Sequence, residues 1–106
     1  MKIESYQVCL SIQRALLDVV TPSLRRVSFQ IDEQNIILNF FYDHKPSELE
    51  EDLAGDAEAE VITDFVQDAR IQLNVRIVEY PEKIPSAGHI VYNRYEKDVF
   101  SQENDT

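Results

Sequence analysis

The sequence predicts an α+β fold in which two helices pack on one face of a four-stranded sheet. Two segments repeat apolar residues at helical spacing, and four segments alternate apolar and polar residues or are rich in β-branched and aromatic residues. These segments follow one another in the order α-β-β-α-β-β. A chain of 106 residues has the size of one domain. We therefore expect a single domain over residues 1–96, with each helix followed by a β-hairpin, and a polar tail over residues 97–106.

The first predicted helix spans Ser5–Val20 and ends before Pro22. Its apolar residues leave only a narrow polar strip, which predicts a helix buried on most sides with Cys9 as a core thiol. A half-buried strand over Leu24–Ile31 follows, then a hairpin turn. The next segment, Ile36–Tyr42, is apolar on both faces and predicts an interior strand.

The second predicted helix is the most clearly specified element. Ser47 and Glu50 have the spacing of a capping box, which fixes where the helix begins. One arc of this helix is apolar, through Leu49, Leu53, Ala54, Ala57, Val61 and Phe65. The opposite side is acidic, and we call it the acidic ridge. Its residues are Glu48, Glu51, Asp52, Asp56, Glu58 and Glu60.

The last third of the domain predicts two more strands. Residues 66–70 fit either a last helical turn or a loop. A strand over residues 71–80 and a strand over residues 89–95 flank a loop with two prolines, and we expect them to pair as a second hairpin. In the tail, Val99 and Phe100 are apolar residues that could dock on the domain.

The formal net charge of −10 favours a basic protein partner. It disfavours direct binding to nucleic acid or to anionic lipid. The sequence shows neither a secretory signal nor an apolar run long enough to span a bilayer, so we expect a cytoplasmic protein.

The acidic ridge admits two interpretations. Acids in the first turn complement the helix macrodipole, which explains Glu48 and Glu51 as parts of a solvated face. The dipole does not explain the acids further along, where like charges four residues apart repel one another by about 0.2–0.5 kcal/mol per pair. No lysine or arginine lies between Pro46 and Ala69. The second interpretation is therefore a binding surface for a cationic partner.

A search for catalytic or metal-binding constellations finds little. Cys9 with His44 or His89 is the available combination of nucleophile and base, and a thiol on an apolar helix face is inert. Carboxylates four residues apart could face a divalent cation, but helix carboxylates alone bind such ions poorly. These pairs are Asp56/Glu60 and Asp64/Asp68. We expect no enzyme activity, no metal and no cofactor.

Six stretches of the chain carry a resemblance to a known family. They are Arg14–Leu17, Val20–Val27, Ile36–Asp43, Glu50–Phe65, Glu79–Pro85 and Val91–Tyr95. Together they resemble immunity proteins of bacterial contact-dependent growth inhibition systems, which are encoded beside polymorphic toxins. The resemblance implies a cytoplasmic protein that binds and neutralises a cognate toxin domain, and many such toxins are nucleases.

Charge and resemblance together predict the interface. A nuclease site is basic, so the six acids of the ridge could occupy it in place of phosphate, and we expect them to bind the toxin. Secondary interface candidates are Tyr80, Tyr92 and Tyr95, on the predicted second hairpin. The alternative function is an acidic adaptor or nucleic-acid mimic that regulates a basic DNA-binding protein. The sequence leaves the oligomeric state open.

Overall fold

A computed structural model describes residues 3–65, 67, 69–86 and 88–96. Its elements are α1 (Ser5–Ala15), β1 (Leu24–Asp32), β2 (Asn35–Tyr42), α2 (Glu48–Asp64), β3 (Arg70–Ile77) and β4 (His89–Asn93). The predicted α+β class and element order are confirmed. The tail predicted over residues 97–106, with Val99 and Phe100, lies outside the described residues. So do residues 66 and 68 of the stretch between α2 and β3.

The four strands form one sheet in the order β3-β2-β1-β4. β1 and β2 form the predicted antiparallel hairpin, in which Asp32 faces Asn35 across the turn. β2 lies between β1 and β3, which confirms the prediction of an interior strand. At the turn, Glu33 adopts a left-handed φ of 56°.

The predicted second hairpin is wrong. β3 pairs parallel with β2, and β4 pairs antiparallel with β1, so β3 and β4 lie at opposite edges of the sheet. The physical reason is α2, which supplies the long crossover that a parallel pair requires and returns the chain beside β2.

Both helices cover the same face of the sheet, as predicted. One buried cluster joins Val8 and Ile12 of α1 and Ala54 and Val61 of α2 to alternate residues of the strands. The strand residues of this cluster include Val27, Phe29, Ile36, Leu38, Phe40 and Tyr42. Removal of this apolar surface from water is the main stabilisation of the fold.

The burial of α1 differs from the prediction. The helix ends at Ala15 rather than Val20, and it is buried on one side only. The side chains of Tyr6, Leu10 and Leu17 are 64%, 61% and 70% exposed, and Cys9 is only half-buried. A helix in a two-layer fold has no layer above it, so a wide apolar pattern does not bury every apolar residue.

The second face of the sheet meets the segment between β3 and β4. Phe41 and Ile84 are buried but lie outside the main cluster. The segment is held by Arg25, whose Nη1 donates to the backbone oxygens of Val78 at 2.7 Å and Glu82 at 2.8 Å. Through these bonds, β1 fixes the path of the chain from one sheet edge to the other.

Candidate functional site

The N-terminus of α2 is fastened to the chain that follows α1. The predicted capping box is confirmed, because the Glu50 amide donates to Ser47 Oγ and the Ser47 amide donates to Glu50 Oε1. Glu50 is also buried, and Thr21 donates to its carboxylate at 2.5 Å while Ser23 donates to the same oxygen. Burial alone would raise the pKa of Glu50, but these hydrogen bonds outweigh it and lower the pKa to about 2.

The C-terminal end of α2 is fastened to α1. Ser11 donates to Asp64 Oδ2 at 2.6 Å, and Arg14 forms an ion pair with the same oxygen. The Ser11 hydrogen bond and the Arg14 charge lower the pKa of Asp64, against the opposing effect of burial. Asp64, which the sequence offered as one of a pair of possible cation ligands, is therefore already bound to Ser11 and Arg14 within the protein.

Between these two attachments, the acidic ridge faces solvent. Five of its residues are exposed and Glu58 is half-buried. Within the part of the chain that the structure describes, no ridge carboxylate forms an ion pair. The ridge is thus an uncompensated negative surface on a helix that is anchored at both ends.

The ridge is wider than one helix face. At 3.6 residues per turn, its six residues spread over an arc of about 200°. Asp56 and Glu60 lie on the same flank of α2 as Asp64, which bonds to α1, whereas Glu51 and Glu58 lie on the other flank. Leu49 was predicted to be core, but at about 100° per residue it projects between Asp56 and Glu60 on the acidic side, and it is 65% exposed.

The three tyrosines do not share a hairpin, because that hairpin does not form. Tyr80 lies beside two guanidinium groups. Its ring centroid is 5.6 Å from the guanidinium carbon of Arg25 and 5.8 Å from that of Arg94. Tyr92 is partly buried against the helix-side core, and burial raises its pKa. Tyr95 is 72% exposed. Their role as secondary interface residues stays a prediction.

The described contacts do not bring together a nucleophile and a base. His44 Nδ1 lies 3.0 Å from the backbone oxygen of Lys45, and His89 stacks on Phe29 with the ring centroids 5.1 Å apart. Cys9 lies on α1, and among the described residues it forms no hydrogen bond with either histidine. In the same part of the chain, no three His, Cys, Asp or Glu side chains are grouped so that they could hold a metal ion.

Two features of this region do not follow from the sequence pattern. Asp18 follows α1 in a turn and has a left-handed φ of 66°. The sequence signalled a helix end only at Pro22, so it did not predict this earlier turn. Arg25 is 2% exposed because the pairing of β1 with β2 is irregular between Leu24 and Arg26. A bulge of this kind turns a side chain inward, and strand alternation does not reveal it.

The described helices lack the combination of length and apolarity that a membrane crossing requires. No curated protein matches the chain. Residues 5–96 match the family described as MafI2 immunity protein, which agrees with the resemblance to immunity proteins of polymorphic toxin systems. The match covers all six elements of the fold. The chain therefore belongs to the MafI2 immunity protein family, and its function is immunity to a cognate toxin.

Proposed function

We propose that this chain is the cytoplasmic immunity protein of a bacterial contact-dependent growth inhibition system, and that its acidic ridge binds a basic nuclease toxin domain. The observation that carries the proposal is the ridge itself. It presents six carboxylates on one helix, with no lysine or arginine between Pro46 and Ala69 to neutralise them. Nucleases bind phosphates with basic residues, and carboxylates accept the same charge-assisted hydrogen bonds.

The anchoring of α2 supports binding by the ridge. Glu50 holds the start of the helix to Thr21 and Ser23, and Asp64 holds its end to α1. A helix that is fixed before the encounter loses little conformational entropy when a partner binds, so more of the interaction energy contributes to affinity.

The distribution of basic residues also supports this orientation. Arg70 and Arg76 are exposed on β3, and Lys83 is exposed in the segment after it. Exposed positive charges of the described residues thus lie on β3, an edge strand of the sheet, whereas the acidic ridge on α2 is negative. A basic partner is therefore steered toward α2 rather than toward β3.

We further infer that the protein acts by binding and has no catalytic turnover. Among the described residues, neither histidine is hydrogen-bonded to Cys9, so no activated nucleophile supports hydrolysis. Purified protein incubated with RNA, DNA or a phosphoester should leave each intact. Hydrolysis that His44→Ala or His89→Ala abolishes would overturn this inference.

The test of the ridge measures association with the toxin domain encoded beside this chain, in a catalytically disabled form. Association should slow steeply between 0.01 M and physiological ionic strength, where the screening length falls from about 30 Å to about 8 Å. The double variant Asp52→Lys/Asp56→Lys should lose most of this salt dependence. The matched control, Glu79→Lys/Glu82→Lys, makes the same change in net charge at exposed positions away from α2 and should keep the salt dependence.

Two results would contradict the proposal. If the ridge variant keeps the affinity and salt dependence of the wild type while Tyr92→Ala or Tyr95→Ala abolishes binding, the interface lies at the tyrosines. If the active toxin domain degrades neither RNA nor DNA, the partner is not a nuclease.

A further inference from the structure

A groove runs between the turn that follows α1 and the adjacent flank of α2. Its volume is about 520 Å³, and its apolar lining includes Leu17 from the turn and Leu53 from α2. Leu17 is 70% exposed, and Leu53 is partly buried against the core. The groove therefore combines an open apolar side chain with an apolar side chain that is fixed by packing.

The polar lining of the groove is predominantly acidic. Asp18 contributes from the turn, and Asp56 and Glu60 contribute from α2. None of these carboxylates forms an ion pair with another residue in the described ranges. Arg14 also lines the groove, but its guanidinium is paired with Asp64. The lining thus carries three uncompensated negative charges around an apolar surface.

We propose that this groove receives a lysine or arginine side chain of the toxin domain, an inference that rests on the proposed function. Such a side chain has an aliphatic stem that would pack on Leu17 and Leu53 and a cationic end that would bind the carboxylates. A purely apolar segment would bury the three charges without a partner, and an acidic segment would be repelled. Charge and apolar lining together therefore select a long basic side chain.

The proposal divides the acidic ridge into two parts. Asp56 and Glu60 become the ridge acids that are desolvated on binding, together with Asp18, which lies outside the ridge. Glu48, Glu51, Asp52 and Glu58 remain at the rim, outside the groove. Rim charges contribute mainly to association rate, whereas a desolvated charge contributes to the lifetime of the complex.

Two groove variants and two matched controls test this assignment by the Kd for the disabled toxin domain at physiological salt. Asp18→Asn should weaken binding by at least about 30-fold, and Leu17→Ser should weaken it by about tenfold. Glu79→Gln removes one exposed charge outside both the groove and the acidic ridge, and Leu10→Ser removes one exposed leucine from the outer side of α1. Both controls should stay within about threefold of the wild type.

The groove variants change exposed residues, and asparagine tolerates the left-handed φ of position 18. If Asp18→Asn lowers the unfolding midpoint, Asp18→Gly removes the same carboxylate at a φ that glycine favours. A scan of the toxin's lysines and arginines then identifies the occupant. Neutralising that lysine or arginine should show a coupling of at least about tenfold with Asp18→Asn and none with Glu79→Gln.

The outcomes separate this inference from the proposed function. The groove assignment is wrong if the wild type binds and the groove variants bind equally well, or if the controls weaken binding as much as the groove variants do. The ridge then remains the interface. A wild-type chain that does not bind the toxin domain overturns the proposed function, and the groove assignment with it.

Discussion

The guanidinium of Arg25 and the carboxylate of Glu96 form a bidentate ion pair in the interior of the protein. Arg25 Nε lies 2.7 Å from Glu96 Oε2, and Arg25 Nη2 lies 2.8 Å from Glu96 Oε1. The two side chains are 2% and 9% exposed. Arg94 donates to the same carboxylate at 3.0 Å, so Glu96 joins β1 to the residues that follow β4.

Removing the carboxylate of Glu96 should destabilise the protein strongly. Glu96→Ala would leave the Arg25 charge buried without a partner, and breaking a buried pair in this way costs about 3–5 kcal/mol. The free energy of unfolding from urea denaturation measures the effect. Glu79→Ala, which truncates an exposed glutamate, should change it by less than about 0.5 kcal/mol. A similar small effect for Glu96→Ala would show that the pair is not formed in solution.

Glu50 should make the protein sensitive to acid. Its pKa falls from an ordinary value of 4.5 to about 2 in the folded protein, so the unfolded chain binds its proton first as the pH decreases. The stabilisation is therefore complete above about pH 5 and is lost as the pH falls toward 2. This change is on the order of 3 kcal/mol.

The pH dependence of the unfolding free energy tests this prediction. Glu50→Gln should be less stable than the wild type at neutral pH, and its stability should fall less between pH 5 and pH 2. Glu51→Gln, at the neighbouring exposed position, should keep the wild-type slope. An unchanged slope in Glu50→Gln would assign the acid sensitivity to other carboxylates.

The acidic ridge should cost stability rather than provide it. Asp52→Lys/Asp56→Lys makes the pairs of these positions with Glu48 and Glu60 attractive, while positions 52 and 56 still carry like charges. The free energy of unfolding should therefore stay equal or rise by up to about 1 kcal/mol, and the melting temperature should stay equal or rise slightly. Asp64→Lys is the contrasting variant, because Asp64 accepts from Ser11 and pairs with Arg14. It should lower the melting temperature. A clear loss in the double variant would show that these carboxylates stabilise the fold.

The two glycines should respond to alanine in opposite directions. Gly88 has a φ of 70°, and an added Cβ would lie 2.1 Å from the backbone oxygen of Phe29, so Gly88→Ala should destabilise the protein by at least about 1 kcal/mol. Gly55 lies inside α2, where an added Cβ would meet no atom within 4 Å beyond its chain neighbours and the backbone of the helix itself. Gly55→Ala should stabilise the protein by about 0.5–1 kcal/mol through helix propensity. Equal effects in thermal denaturation would refute the assigned geometry at position 88.

The sequence predicted best where the signal is local. Ser47 and Glu50 are three residues apart, and their reciprocal hydrogen bonds depend on little beyond that spacing. The alternation of β1 and the apolar run of β2 likewise specified the hairpin between them. These elements and their order follow from periodicity and caps.

The sequence failed where distant residues decide the outcome. Strand proximity favoured a hairpin of β3 with β4, although the order strand, helix, strand across β2, α2 and β3 is itself typical of a parallel pair. Periodicity also identified the apolar arc of α2 but not its centre, so exposed Leu49 was assigned to the core. The groove depends on how α1 and α2 approach each other, which no pattern within either helix specifies.

The position of β4 in the sheet sets an order of assembly during synthesis. β2, the partner of β1 along one edge, is made directly after it, but the other edge of β1 is completed by β4, which is made only after α2 and β3. At about 5–20 residues per second, that edge waits several seconds on the ribosome for its partner strand. The Arg25–Glu96 pair can close only later still. A newly made chain should therefore resist protease at β2 before it does so at β1, and become fully protected only once Glu96 has emerged.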